Sequence, residues 1–263
     1  MIKKLCTLGL FLLTTNAMAA NDKINVCATS QMYHALDAIT LQRDDIKTYI
    51  ASPSDLYAKI SNNEISCNIV ISSDEKLPIE LIRSNKAEAS TMQPLVRAPL
   101  ILWSKNPYLF KNSESKVITD KKLKSIALAD TALTPVGFAT HQIVSSKAFP
   151  TNYIKDRIYR GSHEYHVFSM VDSEHVEAGF ITLPLIKGVN KMANGSYWIV
   201  PKSYHADILY YITLVNKDTN TDKVIDVYKY LKNDEKCHEM YEVFGFELLN
   251  STQDKGEKPL KGF

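Results

Sequence analysis

The chain has 263 residues with 31 basic and 29 acidic side chains, a net charge of +2, and this balance excludes a protein that reads phosphate backbones through a concentrated basic surface. Its length lies near the limit at which one hydrophobic core divides into two. No apolar run reaches the roughly 20 residues that a membrane-crossing helix needs.

The chain begins with the pattern of a secretory leader, Met1 to Ala19. Lys3 and Lys4 form a basic start, Leu5 to Leu13 is mostly apolar, and Ala17-Met18-Ala19 supplies the small-x-small cleavage signal. Cys6 stands at the beginning of the apolar run rather than after it, so it does not read as a lipid-bearing cysteine. The mature chain is therefore expected to be a soluble protein of the bacterial periplasm. It keeps Cys27, Cys67 and Cys237. An odd number allows at most one internal disulfide and leaves at least one thiol free. None lies in a CxxC pair, and free cysteines are commonly small buried hydrophobes.

In chain order, Ile24 to Ala28 reads as a buried strand, and Thr29-Ser30-Gln31 turns into a helix with Met32, Leu36 and Ile39 on one face. Ile46 to Ile50 is a second strand. Ser52-Pro53-Ser54-Asp55 then opens a helix, with a polar cap followed by proline. Cys67 to Ile71 is a third strand of the continuously apolar kind found in parallel sheets. Leu95 to Trp103 is apolar but interrupted by Arg97 and Pro99, and Asn106 to Thr119 is a polar excursion. Further strands are expected over Ser125–Ala129, Ala178–Thr182, Tyr197–Val200 and Ile208–Val215. Helices are expected over Val136–Ser146, Tyr165–Val171, Lys223–Leu231 and Asp234–Phe244, the last stopped by Gly245.

This alternation predicts an α/β protein of two lobes, each a mostly parallel sheet flanked by helices. Residues 20–95 and 205–250 form lobe 1, residues 96–204 form lobe 2, and 251–263 is a flexible polar tail. Two chain crossings, near Leu95 and Tyr204, form the hinge. The strand-to-helix loops lie where open α/β sheets bind ligands.

The order of motifs resembles the molybdate-binding periplasmic proteins of ABC transporters, within the wider class of two-lobed solute-binding proteins. The resemblance spans Ile24 to Phe246. Its anchors are Ile24-Asn25-Val26, Ala51-Ser52-Pro53-Ser54, Ile69-Val70-Ile71-Ser72-Ser73-Asp74, Ala127-Leu128-Ala129-Asp130, Gly179-Phe180-Ile181, Tyr228-Lys229-Tyr230-Leu231 and Phe244-Gly245-Phe246. It implies a monomeric solute receptor for an inner-membrane ABC permease, without a cofactor, whose ligand is an oxyanion of the molybdate, tungstate or sulfate type. The family holds that anion with serine hydroxyls, helix-start N–H groups and a tyrosine. Here Gln31, next to Ser30, aligns with the first serine, and Pro53, between Ser52 and Ser54, aligns with a second. Val136, followed by Gly137, replaces a small residue that contributes its amide. Glu164, beside Tyr165, falls on a ligand-contacting loop, and Thr182 takes the tyrosine position.

These departures motivate two alternatives. His34, His141, His163 and His166, with Glu164, are the donor types that hold zinc, copper, nickel or iron, and a metal chelate would use the same set. Tyr33, Tyr165 and Phe168 would instead line a pocket for a small organic solute. A third reading keeps the fold but assigns it to an envelope sensor or interaction protein. The chain has no Gly-rich phosphate loop, no HExxH and no G-x-S-x-G. Binding rather than catalysis is the expectation.

Overall fold

In this computed structural model the described residues are 23–110, 123–132, 134–147, 149, 151–187, 194–215 and 221–249. The expected leader over 1–19 and tail over 251–263 lie outside them, as does most of the polar excursion that ends at Thr119.

Short apolar strands joined by capped helices build the first sheet. β1 (Ile24–Thr29) leads through a 3-10 turn over Ser30–Met32 into α1 (Tyr33–Thr40). Then come β2 (Ile46–Ala51), α2 (Pro53–Ser61), β3 (Ile69–Ser72) and α3 (Lys76–Arg83). β1 lies between β2 and β3 and runs parallel to both. Met32, Leu36 and Ile39 are buried, so α1 turns the face defined by its apolar spacing onto the sheet. α3 has no counterpart among the helices expected from sequence. Leu77, Pro78 and Leu81 are its buried residues, and a proline in the first turn gives up only an N–H that has no partner within the helix.

The chain leaves the first sheet after β4 (Gln93–Arg97) and enters the second at β5 (Leu100–Ser104). Pro99 lies between them, which resolves the interrupted apolar run into two strands. The second lobe continues with β6 (Ile126–Ala129), α4 (Pro135–Ser145), β7 (Ile158–Gly161), α5 (Glu164–Asp172), β8 (Ala178–Thr182), α6 (Leu183–Lys187) and β9 (Ser196–Ile199). β10 (Leu209–Leu214) returns to the first sheet. α7 (Asp222–Asn233), α8 (Glu235–Val243) and β11 (Glu247–Leu248) complete it. Gly245, at φ +87°, takes the left-handed turn that ends α8.

The strand orders are β11-β4-β10-β3-β1-β2 and β7-β6-β8-β5-β9. The expected two-lobed α/β fold is present. Parallel pairing is confined to the strand–helix–strand units, β1 with β2 and β3, and β6 with β7 and β8. The strands that carry the chain between lobes, β4, β5 and β10, pair antiparallel, so each sheet is mixed. The crossings touch: the Ala98 amide donates to the Ile208 carbonyl at 2.9 Å. Beside them the buried Arg97 guanidinium binds Asp207 at 2.7 Å and lies 3.6 Å from Glu247.

Cys27 on β1 and Cys67, just before β3, form a disulfide with Cα atoms 5.8 Å apart. Cys237 stays a free, buried thiol, and burial pushes its pKa up to about 12. The expectation of buried small hydrophobes thus describes Cys237 but not the bonded pair.

Candidate functional site

Between the lobes lies a cleft of about 610 Å³, walled by Ser30, Gln31, Ser52 to Ser54, Tyr57, Ser73, Asp74, Lys76 and Leu77 from one side, and by Thr134 to Val136 and Ser162 to Tyr165 from the other. Ile208 and Tyr210 form its floor at the hinge. A second depression of about 610 Å³ lies on lobe 2 around Lys105, Lys124 and Glu177. Volume therefore does not choose between them. The first is walled by both sheets at the ends of their parallel strands, where α/β proteins bind ligands, and the second by one lobe alone.

Helix starts shape this cleft. Ser52 caps α2: its hydroxyl donates to the Asp55 carboxylate at 2.7 Å and accepts from the Asp55 amide at 3.2 Å. Its proton is thereby engaged. The Ser54 hydroxyl, 3.1 Å from that of Ser52, can turn its own proton toward a ligand. Thr134 caps α4 by accepting from the Gly137 amide at 2.9 Å. Gly137 does not line the cleft. A side chain there would meet the Asp130 carbonyl oxygen at 1.9 Å, so its lack of one lets the start of α4 seat against that loop. The Val136 amide then stands in a first turn, where N–H groups have no partner within the helix and favour a negative ligand group. Asp74 accepts from the Leu77 amide at 3.1 Å and so fixes the start of α3.

Gln31, Glu164 and Thr182 form one group. Glu164 is buried at 4% exposure. One carboxylate oxygen accepts from the Thr182 amide at 3.0 Å and the Thr182 hydroxyl at 2.8 Å. The other accepts from the Gln31 side-chain amide, across from the first lobe. Thr182 lies behind Glu164 rather than in the cleft wall. Burial pushes the Glu164 carboxyl above its ordinary range, while the Thr182 and Gln31 donors pull it back. The Tyr165 hydroxyl is shifted up by burial and then by the Glu164 charge, with Ser30 near enough to offset part of that shift. Tyr210 is shifted up for the same two reasons.

The histidines do not converge. His163 lines the cleft, but its ring accepts from the His166 amide at 3.3 Å as the cap of α5. The His166 ring accepts from the Ser162 amide at 3.4 Å. His34 stacks toward Phe244 with ring centroids 6.1 Å apart, and His141 lies on the exposed side of α4 beside Ser145 at 3.5 Å. Among the described residues no three His, Cys, Asp or Glu side chains are placed to share a metal ion. The metal set expected from sequence is therefore dispersed, because these rings serve caps and surfaces.

Tyr57, Asp74, Lys76, Glu80 and Tyr210 also wall the cleft and were not among the residues expected from sequence. For Asp74, Lys76 and Glu80 the available signal was Ser72-Ser73-Asp74 after a buried strand, a polar cap opening a helix.

A cleft between two α/β lobes linked by paired crossings defines the solute-binding class. Residues 24–247 match the bacterial extracellular solute-binding protein family, and the chain belongs to it. Its fold is similar to that of the Azotobacter vinelandii periplasmic molybdate-binding protein, with TM-score 0.70, 20% identity, and 87% of this chain and 100% of that one covered. It is similar to PEB3 of Campylobacter jejuni, whose L-phospholactate-bound structure matches with TM-score 0.69 and 11% identity over 86% of this chain and 100% of that one. A third likeness is to the sulfate-binding protein SubI of Mycobacterium tuberculosis H37Rv, with TM-score 0.64, 8% identity, and 87% and 88% covered.

Proposed function

We propose that the chain is the periplasmic receptor of an ABC importer, working as a monomer that captures a small organic acid between its lobes and presents it to an inner-membrane permease. The observation that carries this reading is a cleft of about 610 Å³ that combines helix starts with aromatic and aliphatic walls. That volume lies in the range of roughly 300–1,000 Å³ typical of organic-ligand sites. The Ser54 hydroxyl and the Val136 amide suit the acidic group, and Tyr57, Tyr165, Tyr210, Pro135 and Ile208 suit the carbon skeleton. The disulfide and the family suit an oxidising envelope compartment.

A free oxyanion of the molybdate or sulfate type is the second reading, favoured by the ligands of two similar proteins. Against it stand Pro53, which has no N–H to give, and the buried Glu164 carboxylate. A thermal-shift panel of carboxylates, phosphate monoesters, molybdate, tungstate and sulfate separates the two, since a ligand at 100 times its Kd stabilises by about 2.7 kcal/mol. A shift with an organic acid that weakens in Ser54→Ala and Tyr57→Ala supports the first reading. A shift with inorganic oxyanions alone overturns it.

A further inference from the structure

Glu164 lines the cleft yet is only 4% exposed, and its bonding is incomplete in one respect. An ionised carboxylate offers about four acceptor positions. The Thr182 amide and hydroxyl use two on one oxygen, and Gln31 uses one on the other. One position on the oxygen facing Gln31 remains. The Thr182 amide can only donate, which suits a carboxylate, and the start of α5 adds the positive end of its dipole. Above the raised range in which it gives up its proton, Glu164 thus builds a negative charge into one wall of the cleft.

We propose that Glu164 is the specificity-determining residue of the cleft: it excludes small dianions and reserves that end for a ligand group that donates a hydrogen bond, a hydroxyl or an amine. This deepens, and rests on, the reading of the cleft as a solute site. The acidic end of the ligand then lies at Ser54 and Val136, away from Glu164, so the ligand has a fixed polarity. A free sulfate or molybdate carries its whole charge on one centre and has no donor to offer.

The test is calorimetric titration of the full chain and of Glu164→Gln with sodium sulfate and sodium molybdate. The substitution keeps the shape, and Gln31 can turn its amide to pair with the new one. At least a tenfold gain in affinity for both dianions is expected. Equal affinity in the two proteins, whether tight or absent, overturns the proposal. Should the variant not fold, wild-type titrations with sulfate, which stays doubly ionised, decide the matter as the pH falls from neutral. The titratable groups facing this stretch are His163, which caps α5, Tyr165 on α5, and Asp74 and Tyr210 from the first lobe. Sulfate affinity rising as Glu164 takes up a proton, and still rising in His163→Asn, supports the proposal; a flat profile in His163→Asn contradicts it. Failure of the underlying reading looks different: neither organic acids nor inorganic oxyanions then shift the wild-type melting temperature.

Discussion

The Gln31 side chain on the first lobe donates to the Glu164 carboxylate on the second, 133 residues away in sequence, and Thr182 holds that carboxylate from behind. Three positions at which the chain departs from the molybdate-binding pattern are therefore one bonded group. Removing one member leaves a buried acceptor short of a donor, which costs about 1–3 kcal/mol. Gln31→Ala is expected to lower unfolding free energy by that amount in urea titrations. Combined with Thr182→Val it is expected to deviate from additivity, because the two share a partner.

The same carboxylate sets a pH dependence. Its pKa is raised in the folded protein, so the folded state keeps a proton at pH values where the unfolded chain has released it. Stability from this group is greatest at or below the ordinary carboxylate range and is lost as pH rises through the raised value. The slope is at most about 1.4 kcal/mol per pH unit. Melting temperatures across pH are expected to show this fall in the wild type, and Glu164→Gln is expected to remove it.

The Cys27–Cys67 bond closes a loop with a sequence separation of 40. Its loss is expected to cost about 2–4 kcal/mol, mainly by freeing the unfolded chain. Urea unfolding of a Cys27→Ser, Cys67→Ser double variant measures this directly. Cys237, buried with its thiol pKa pushed up to about 12, is expected to resist alkylation in the native protein.

At Gly137 an added side chain would collide with the Asp130 carbonyl. Gly137→Ala is expected to destabilise by about 1–3 kcal/mol, the usual cost of overpacking. Because it displaces the start of α4 and the Val136 amide, it is also expected to weaken solute binding beyond what stability loss explains. Titration well below the melting temperature distinguishes the two effects.

Much of the fold was legible because its signals are local. Ser52-Pro53 and Thr134-Pro135 each announce a cap and a first turn, and the helices begin there. α3 was not, although Leu77 and Leu81 keep helical spacing and its first turn accepts Pro78. The cysteine pairing was out of reach, because it depends on sheet register: Cys27 lies opposite Val70, which brings the segment just before β3 alongside it. The cleft wall was partly legible, as Ser30, Gln31, Ser54 and Val136 follow strands at the end where α/β proteins bind ligands. Tyr210 was not, because a floor residue on a returning strand carries no cap or spacing signal. His34 illustrates the opposite error. With Met32, Leu36 and Ile39 turned inward, helical spacing sends it off that face toward Phe244.

The central claim is that the interlobe cleft holds one organic acid. Native mass spectrometry of the protein recovered from a bacterial periplasm, with the released solute identified, tests this most directly. The account predicts one organic acid per chain, lost in the Ser54→Ala and Tyr57→Ala variants. A bound molybdate, sulfate or metal ion, or an organic solute retained equally by both variants, would contradict it.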